Sequence, residues 1–299
     1  LKLAGTLLGA SVPAERHEAA RFCGVSNEEM LGRRSLTEVA YLGLLGQEPR
    51  PEDLFVFQTL IGLLLTNGPG AISIQGVKGA VSADGPETPE RVQLNKALVG
   101  FLSHSGYAHG GNGYEGIAFL LDQFRDAGLN DPGDSGHGLD LTALAARYTE
   151  VYAQYKSNRK NAGSLDIQKI PGVNHPVFKD KPVNHDPREV FIWDLMRDRG
   201  EYNVFHDYYR ALVRALFDAG VSRTVYCVNI DAVIAALLLK MLWQPYRSGA
   251  FPAAALETAA FTLFLYARMI GSLAEADDHV NRGRNMDTRT PASQCKFVA

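Results

Sequence analysis

Two histidines and an aspartate, each in a distinctive local sequence, are the residues of this chain best suited to chemistry. His109 lies in Gly-Tyr-Ala-His-Gly-Gly-Asn, His175 in Gly-Val-Asn-His-Pro-Val-Phe, and Asp231 in Val-Asn-Ile-Asp. The methyl hydrogens of an acetyl thioester are weakly acidic. Their removal therefore requires a fixed carboxylate base and a hydrogen-bond donor on the oxygen where enolate charge develops. A second donor must polarise the keto group that the enolate attacks. An aspartate and two histidines can supply these three groups.

In this order along the chain, the three segments resemble the two-histidine, one-aspartate site of the citrate synthase superfamily. Enzymes of that superfamily make or break a carbon–carbon bond between an acetyl thioester and a keto acid. The resemblance implies that Asp231 is the base, that His109 stabilises the enolate, and that His175 serves the keto or hydroxyl group. Taken singly, the segments also fit a polar turn at His109, a solvated loop at His175 and helix capping at Asp231. Asn229 is the candidate cap for a helix that begins at Ile230, with Asp231 in its first turn.

Two arginines are candidate substrate-binding residues. Arg188 follows an Asp-Pro pair that predicts a helix start, from which an arginine can bind a carboxylate bidentately. The loop between His175 and Arg188 is longer than the superfamily pattern. Arg268 lies in an apolar helical stretch, where an unpaired charge is costly. The resemblance implies that Arg268 binds a dicarboxylate or tricarboxylate, and a salt bridge to Glu275 or Asp277 is the structural alternative.

Two further substrate-binding candidates come from the resemblance. Asn67 stands where the superfamily normally presents another histidine to the substrate. This difference leaves open which keto acid the protein would use. Arg289, in Arg-Thr-Pro-Ala-Ser, resembles the arginine of ATP-citrate lyases that reaches into the site of the partner subunit. Arg282 and Arg284 are alternatives for that role.

Coenzyme A requires cations for its phosphates, and the chain offers two lysine-containing clusters. Lys179 and Lys181 are the candidates adopted for cofactor binding, although lysine clusters are more often solvated surfaces. The thioester is expected as a substrate, and no metal is expected because the histidines show no ligand spacing. The other cations that could serve the phosphates are Lys156, Arg159, Lys160 and Lys169.

Composition narrows the class of protein. The chain of 299 residues is 46% hydrophobic and can bury one large core or two modest ones. The net charge of −3 argues against a nucleic-acid partner. Three dispersed cysteines without a CxxC pair fit a reducing cytoplasm. No membrane span is predicted, because Glu257 and Arg268 interrupt the long apolar run from Ala253 to Ala274.

Apolar periodicity and capping signals predict a mainly α protein. Val92, Leu94, Leu98 and Leu102 are expected on the buried face of their helix, and Thr224 to Val228 is the best candidate strand. The predicted helices cover Ser35 to Leu45, Pro51 to Leu65, Thr88 to Leu102, Leu141 to Tyr155, Pro187 to Arg197, Asp207 to Ala219, Ala232 to Leu242 and Ala253 to Ala274.

The resemblance implies a citrate synthase-like, two-domain helical fold. Residues 1–112 and 236–299 would form a large domain, and 113–235 an inserted small domain. The catalytic residues would then fall at the domain seam, where closure excludes water. A homodimer is expected; a higher oligomer, an upstream domain and a second subunit are left open.

Chain length, the Asn-Gly-Pro-Gly-Ala segment and the Arg-Thr-Pro tail look most like the citryl-CoA lyase module of ATP-citrate lyase. The expected activity is reversible cleavage of citryl-CoA, or a close analogue, into acetyl-CoA and oxaloacetate or a related 2-keto acid. One alternative is citrate synthase, which also hydrolyses the thioester. A second is a non-catalytic acyl-CoA-binding protein of the same fold.

Overall fold

The computed structural model describes residues 21–66, 70–83, 94–106, 109–164, 166–175 and 178–281. Within these ranges the chain forms one short β-hairpin and eleven α-helices, so the all-α fold class is confirmed. The elements are β1 (Arg21–Phe22), β2 (Val25–Ser26), α1 (Asn27–Arg33), α2 (Leu36–Leu45), α3 (Pro51–Leu64), α4 (Ile72–Ser82), α5 (Leu94–Ser103), α6 (Asn112–Phe124), α7 (Leu141–Asn161), α8 (Pro187–Asp198), α9 (Val204–Asp218), α10 (Ile230–Arg247) and α11 (Ala253–Asn281).

Several helices begin where local sequence signals predict. The Ser35 side chain accepts from the backbone N–H of Glu38, whose carboxylate accepts from the Ser35 backbone, so α2 starts with a capping box. Asp186 caps α8, and Pro187 occupies its first position. Asn229 caps α10. Because capping depends on groups only two or three residues apart, sequence alone identifies these starts.

The predicted strand from Thr224 to Val228 is wrong. Val225 makes an isolated parallel bridge with Val183, and Val228 makes an isolated antiparallel bridge with Val173. The two pairings have different partners and opposite directions, so no continuous ladder forms.

The buried face predicted for α5 is wrong at Leu94 and Leu102, which are about half exposed, whereas Ala97 and Phe101 are buried. Leu98 is partly buried, and Val92 and the predicted helix start at Thr88 lie outside the described residues. The reason is a close crossing with α4: a Cβ added at Gly76 would lie 2.2 Å from the backbone oxygen of Gly100. Small residues of α5 therefore face α4.

The described residues fall into two compact units. The first comprises Asn112–Ala260, and the second comprises the described parts of Ser11–Gly111 and Phe261–Ala299. Aromatic side chains that are at most 1% exposed dominate the core of the first unit. The largest of these core side chains are Phe124, Phe205, Tyr208, Tyr209 and Trp243.

The domain boundaries expected at residues 113 and 235 remain a prediction.

By length and composition alone, α11 could cross a membrane between Ala253 and His279, with 44% of the apolar window buried. Core helices of soluble proteins pass the same test. The Arg268 side chain is buried near the middle of this helix and donates hydrogen bonds to protein oxygens.

Candidate active site

His109 lies in a tight turn of the second unit. The backbone N–H groups of Gly106 and His109 each donate to the carbonyl oxygen of the other at 3.0 Å. Gly110 follows with φ of 109°, and a Cβ at this position would lie 2.4 Å from the Phe264 ring. The same ring meets the His109 imidazole edge to face, with centroids 5.5 Å apart. The turn and the aromatic contact together fix the direction of the imidazole.

Ser73, the second residue of α4, sets the protonation of His109. The Ser73 backbone N–H donates to His109 Nε2 at 3.2 Å, and Ser73 Oγ lies 2.9 Å from the same nitrogen. A backbone N–H can only donate, so Nε2 is an acceptor and the ring proton is on Nδ1. Burial, and secondarily the charge of Arg268, lower the pKa of His109. His109 is therefore a neutral imidazole with Nδ1–H as its donor.

Arg268 fixes Ser73 in turn. Its Nε donates to the Leu64 carbonyl oxygen at the end of α3 at 2.8 Å, and its Nη1 donates to Ser73 Oγ at 3.4 Å. Its guanidinium carbon lies 4.9 Å from the centroid of the Phe264 ring. Because a guanidinium only donates, Ser73 Oγ accepts from Arg268, and its own hydroxyl proton can point to His109 Nε2.

Burial of the Arg268 side chain lowers its pKa, with 4% of the residue exposed. The charge of Glu275 opposes this lowering, although no salt bridge within 4.0 Å joins Arg268 to Glu275 or Asp277 among the described residues. Its role in binding a substrate carboxylate remains a prediction.

In the first unit, backbone pairing joins the His175 loop to the start of α10. The Asn174 N–H donates to the Cys227 carbonyl oxygen, and the Asn229 N–H donates to that of Gly172, both at 2.9 Å. The Asn229 side chain also donates to the Asn174 carbonyl oxygen at 2.9 Å. Asn174 itself has φ of 71°, a left-handed conformation that asparagine tolerates. This pairing places His175 and Asp231 just beyond two joined backbone segments.

Asp231 is the second residue of α10. The Asn229 side-chain oxygen accepts from the backbone N–H groups of Asp231 and Ala232 at 2.9 and 3.3 Å. Asn229 is therefore the capping residue, and capping does not explain the carboxylate at 231.

Arg188 carries a charge next to both His175 and Asp231. Its Nε donates to Asp186 Oδ1 at 3.0 Å and its Nη2 to Oδ2 at 2.7 Å, and Asp186 is fully buried. Hydrogen bonds to Asp186 raise the pKa of Arg188, and the charge of Asp231 adds to this effect. Burial, and then the charge of Arg188, lower the pKa of His175 against an opposing effect of Asp186. The first unit thus brings together His175, Arg188 and Asp231.

The remaining candidates fall into two groups. Asn67 and Arg289 lie outside the described residues. Lys179 and Lys181 are exposed, and their role towards coenzyme A remains a prediction. Among the alternatives, Lys156 Nζ donates to the Val221 carbonyl oxygen at 2.8 Å. In the described ranges, no three His, Cys, Asp or Glu side chains are grouped to hold a metal ion.

Sequence reasoning did not identify Ser73 or Phe178. Ser73 is separated from His109 by 36 residues, and its position at a helix start was the one available signal. The Phe178 ring stacks on the His175 imidazole, with centroids 4.7 Å apart and planes inclined by 25°. Its place three residues after a predicted catalytic histidine could have drawn attention to it.

Solved structures similar to this chain include a citryl-CoA lyase and two ATP citrate lyases. Citryl-CoA lyase from Hydrogenobacter thermophilus gives a TM-score of 0.64 at 15% sequence identity, covering 95% of this chain and 92% of that chain. ATP citrate lyase from Methanothrix soehngenii, in complex with citrate and coenzyme A, gives 0.63 at 17% identity, covering 97% of this chain and 41% of that chain. A mutant ATP citrate lyase from Methanosaeta concilii, in complex with (3S)-citryl-CoA, gives the same values.

No family model matches the sequence, and a sequence comparison with curated proteins finds no relative. The structural likenesses show the fold, which is the citrate synthase-like helical fold that the sequence resemblance predicts. The chain spans about two fifths of the ATP citrate lyase chains that it matches.

Proposed function

We propose that this protein catalyses reversible cleavage of citryl-CoA, or a close analogue, into acetyl-CoA and oxaloacetate or a related 2-keto acid. The observation that carries the proposal is the neutral His109, whose Nε2 is occupied by Ser73 and whose Nδ1–H is the ring donor. Enolate chemistry requires such a donor at the thioester oxygen. The fold shared with citryl-CoA lyase supports the same class of reaction.

In the cleavage direction, neutral His175 takes the proton of the substrate hydroxyl group. The hydroxyl oxygen becomes the keto oxygen as the adjacent carbon–carbon bond breaks. The bonding electron pair moves into the acetyl fragment, giving the enolate of acetyl-CoA. His109 Nδ1–H donates to the enolate oxygen, and Asp231, as the carboxylic acid, returns a proton to the carbon. Condensation is the reverse, with Asp231 as the base.

The proposal requires His109, His175 and Asp231 to act on one substrate molecule. Arg188 is assigned to a carboxylate of the keto acid, because its charge lies close to both His175 and Asp231. Lys179 and Lys181 are assigned to the coenzyme A phosphates. The proposal also includes that the protein is a homodimer and that it acts in the cytoplasm.

The test supplies purified protein with citryl-CoA and measures acetyl-CoA and oxaloacetate by mass spectrometry, with free thiol followed in parallel. Equal amounts of both products without free thiol support the lyase reaction. Citrate with stoichiometric free coenzyme A, from acetyl-CoA and oxaloacetate, would instead indicate a synthase. The proposal would be contradicted if the protein neither cleaved citryl-CoA nor condensed acetyl-CoA with oxaloacetate or another 2-keto acid.

Two variants distinguish catalysis from simple binding. In His109→Gln and Asp231→Asn, turnover should fall by about 1,000-fold or more, because each removes a group that acts in the transition state. Coenzyme A binding, measured by calorimetry, should stay within a factor of about three because neither group is assigned to the cofactor. Variants that match the wild type in every assay would support a non-catalytic acyl-CoA-binding protein.

A further inference from the structure

Phe178 contacts two residues of the proposed keto-acid site. Its ring stacks on the His175 imidazole at 4.7 Å between centroids. The guanidinium carbon of Arg188 lies 6.0 Å from the centroid of the same ring. Phe178 is partly buried. An aromatic ring is thus placed against a catalytic imidazole and a carboxylate-binding cation.

The stacked ring restricts the imidazole in two ways. It shields one face from water, and it limits rotation about the side-chain torsions of His175. The ring also attracts the Arg188 guanidinium, which Asp186 holds in its bidentate ion pair. Phe178 therefore contacts both His175 and Arg188.

A fixed separation between His175 and Arg188 matters for a 2-keto acid. The keto oxygen and the carboxylate sit on adjacent carbons, so the donors to each must be held at one matched separation. A misplacement of about 1 Å can cost up to about 100-fold in rate. Phe178 lies directly against the His175 ring, whereas Arg188 and Asp186 act on that ring through their charges.

We propose that Phe178 is a positioning residue that holds the His175 imidazole relative to Arg188. This inference rests on the proposed function for its consequence in catalysis, and on the geometry of the ring stack for its effect on His175 itself.

The test compares Phe178→Leu, which keeps apolar bulk but removes the ring, with Phe178→Tyr as the matched control that keeps the ring. In Phe178→Leu, kcat/KM for citryl-CoA should fall about three- to tenfold, the range expected for one aromatic stack. In the condensation direction, KM for the keto acid should rise while KM for acetyl-CoA stays constant. Phe178→Tyr should remain within about twofold of the wild type.

A second measurement does not depend on activity. Histidine ring carbons are labelled with ¹³C, and the His175 signal is assigned by its loss in His175→Gln. Burial is the main cause of the lowered pKa of His175, so its titration should move to higher pH in Phe178→Leu. It should not move in Phe178→Tyr. Arg188 and Asp186, which also face the imidazole, are unchanged in both variants.

Each outcome bears on one claim. A His175 titration and a kcat/KM that are the same in Phe178→Leu and the wild type would overturn the positioning role. A shifted titration in a protein that has no citryl-CoA activity would support the positioning role and overturn the proposed reaction. An equal rise of both KM values would indicate general disruption of the site and would also count against Phe178 as a positioning residue.

Discussion

The backbone N–H of Ser73 points at Nε2 of His109 from 3.2 Å, and this single contact determines which nitrogen of the imidazole carries the proton. The donor belongs to the first turn of α4, where backbone N–H groups have no partner within the helix. A protonated Nε2 would face a donor at close range. The helix start thus disfavours the imidazolium form and leaves the ring proton on Nδ1.

Ser73→Ala should weaken catalysis without abolishing it. The backbone N–H remains, but the hydroxyl that lies between Arg268 and His109 is lost. We expect kcat for citryl-CoA cleavage to fall about fivefold, the value of one hydrogen bond of about 1 kcal/mol. Ser103→Ala is the control, because the hydroxyl of Ser103 bonds the Gly100 carbonyl and the ring of His104. Equal kinetics for both variants would contradict the role of Ser73.

The pH dependence of kcat/KM for citryl-CoA cleavage should show an acidic limb below the ordinary histidine pKa of about 6.5. Burial lowers the pKa of both His109 and His175, and the cleavage direction uses both in the neutral form. As the pH falls through these lowered values, each imidazole gains a proton and activity is lost. A limb centred above pH 7 would contradict this assignment.

The same shifts affect stability. Between the lowered pKa values and about 6.5, the unfolded chain binds more protons than the folded chain, so the free energy of unfolding decreases as the pH falls. Urea unfolding at a series of pH values measures this trend. In His109→Gln the slope should be smaller.

Arg188→Gln should destabilise the protein as well as impair binding. The variant leaves the fully buried carboxylate of Asp186 without its bidentate partner. We expect a loss of about 2–3 kcal/mol, below the full value for a buried pair because the Arg188 side chain is 33% exposed. Arg214→Gln is the matched control, since its pair with Asp218 is exposed on both sides and should cost less than about 1 kcal/mol. Chemical denaturation compares the two.

Gly110→Ala should disturb the His109 turn. A Cβ there meets the Phe264 ring at 2.4 Å, and φ of 109° is strained for any residue with a side chain. Stability should fall by about 2 kcal/mol or more, and kcat should fall with it because His109 is displaced. Gly138→Ala is the control for backbone strain without a clash. Gly138 has φ of 73°, and no atom lies within 4 Å of the added carbon. The free energy of unfolding should therefore fall by about 1 kcal/mol. Similar losses of kcat in both would contradict the prediction.

Local rules allowed the sequence to predict the starts of α2, α8 and α10, because each depends on a cap and its near neighbours. The buried face of α5 could not be predicted, since the close approach of Gly76 and Gly100 joins two separate helices. Ser73 escaped notice for the same reason. The contact of Ser73 with His109 depends on how α4 packs in the fold, which the periodicity of apolar residues in the sequence does not indicate. The resemblance named His109, His175 and Asp231 without indicating what holds them.

The segment that begins at His175 is closed at both ends by neighbouring parts of one short stretch of chain. Val173 pairs with Val228 before it, and Val183 pairs with Val225 after it. His175 and residues 178–182 therefore lie between two backbone attachments to the same short stretch of chain. Because backbone groups make both attachments, substitutions between them can change the surroundings of His175 while the start of α10, which carries Asp231, keeps its own pairing. For the proposed reaction, the keto-acid side of the site could then vary independently of the carboxylate.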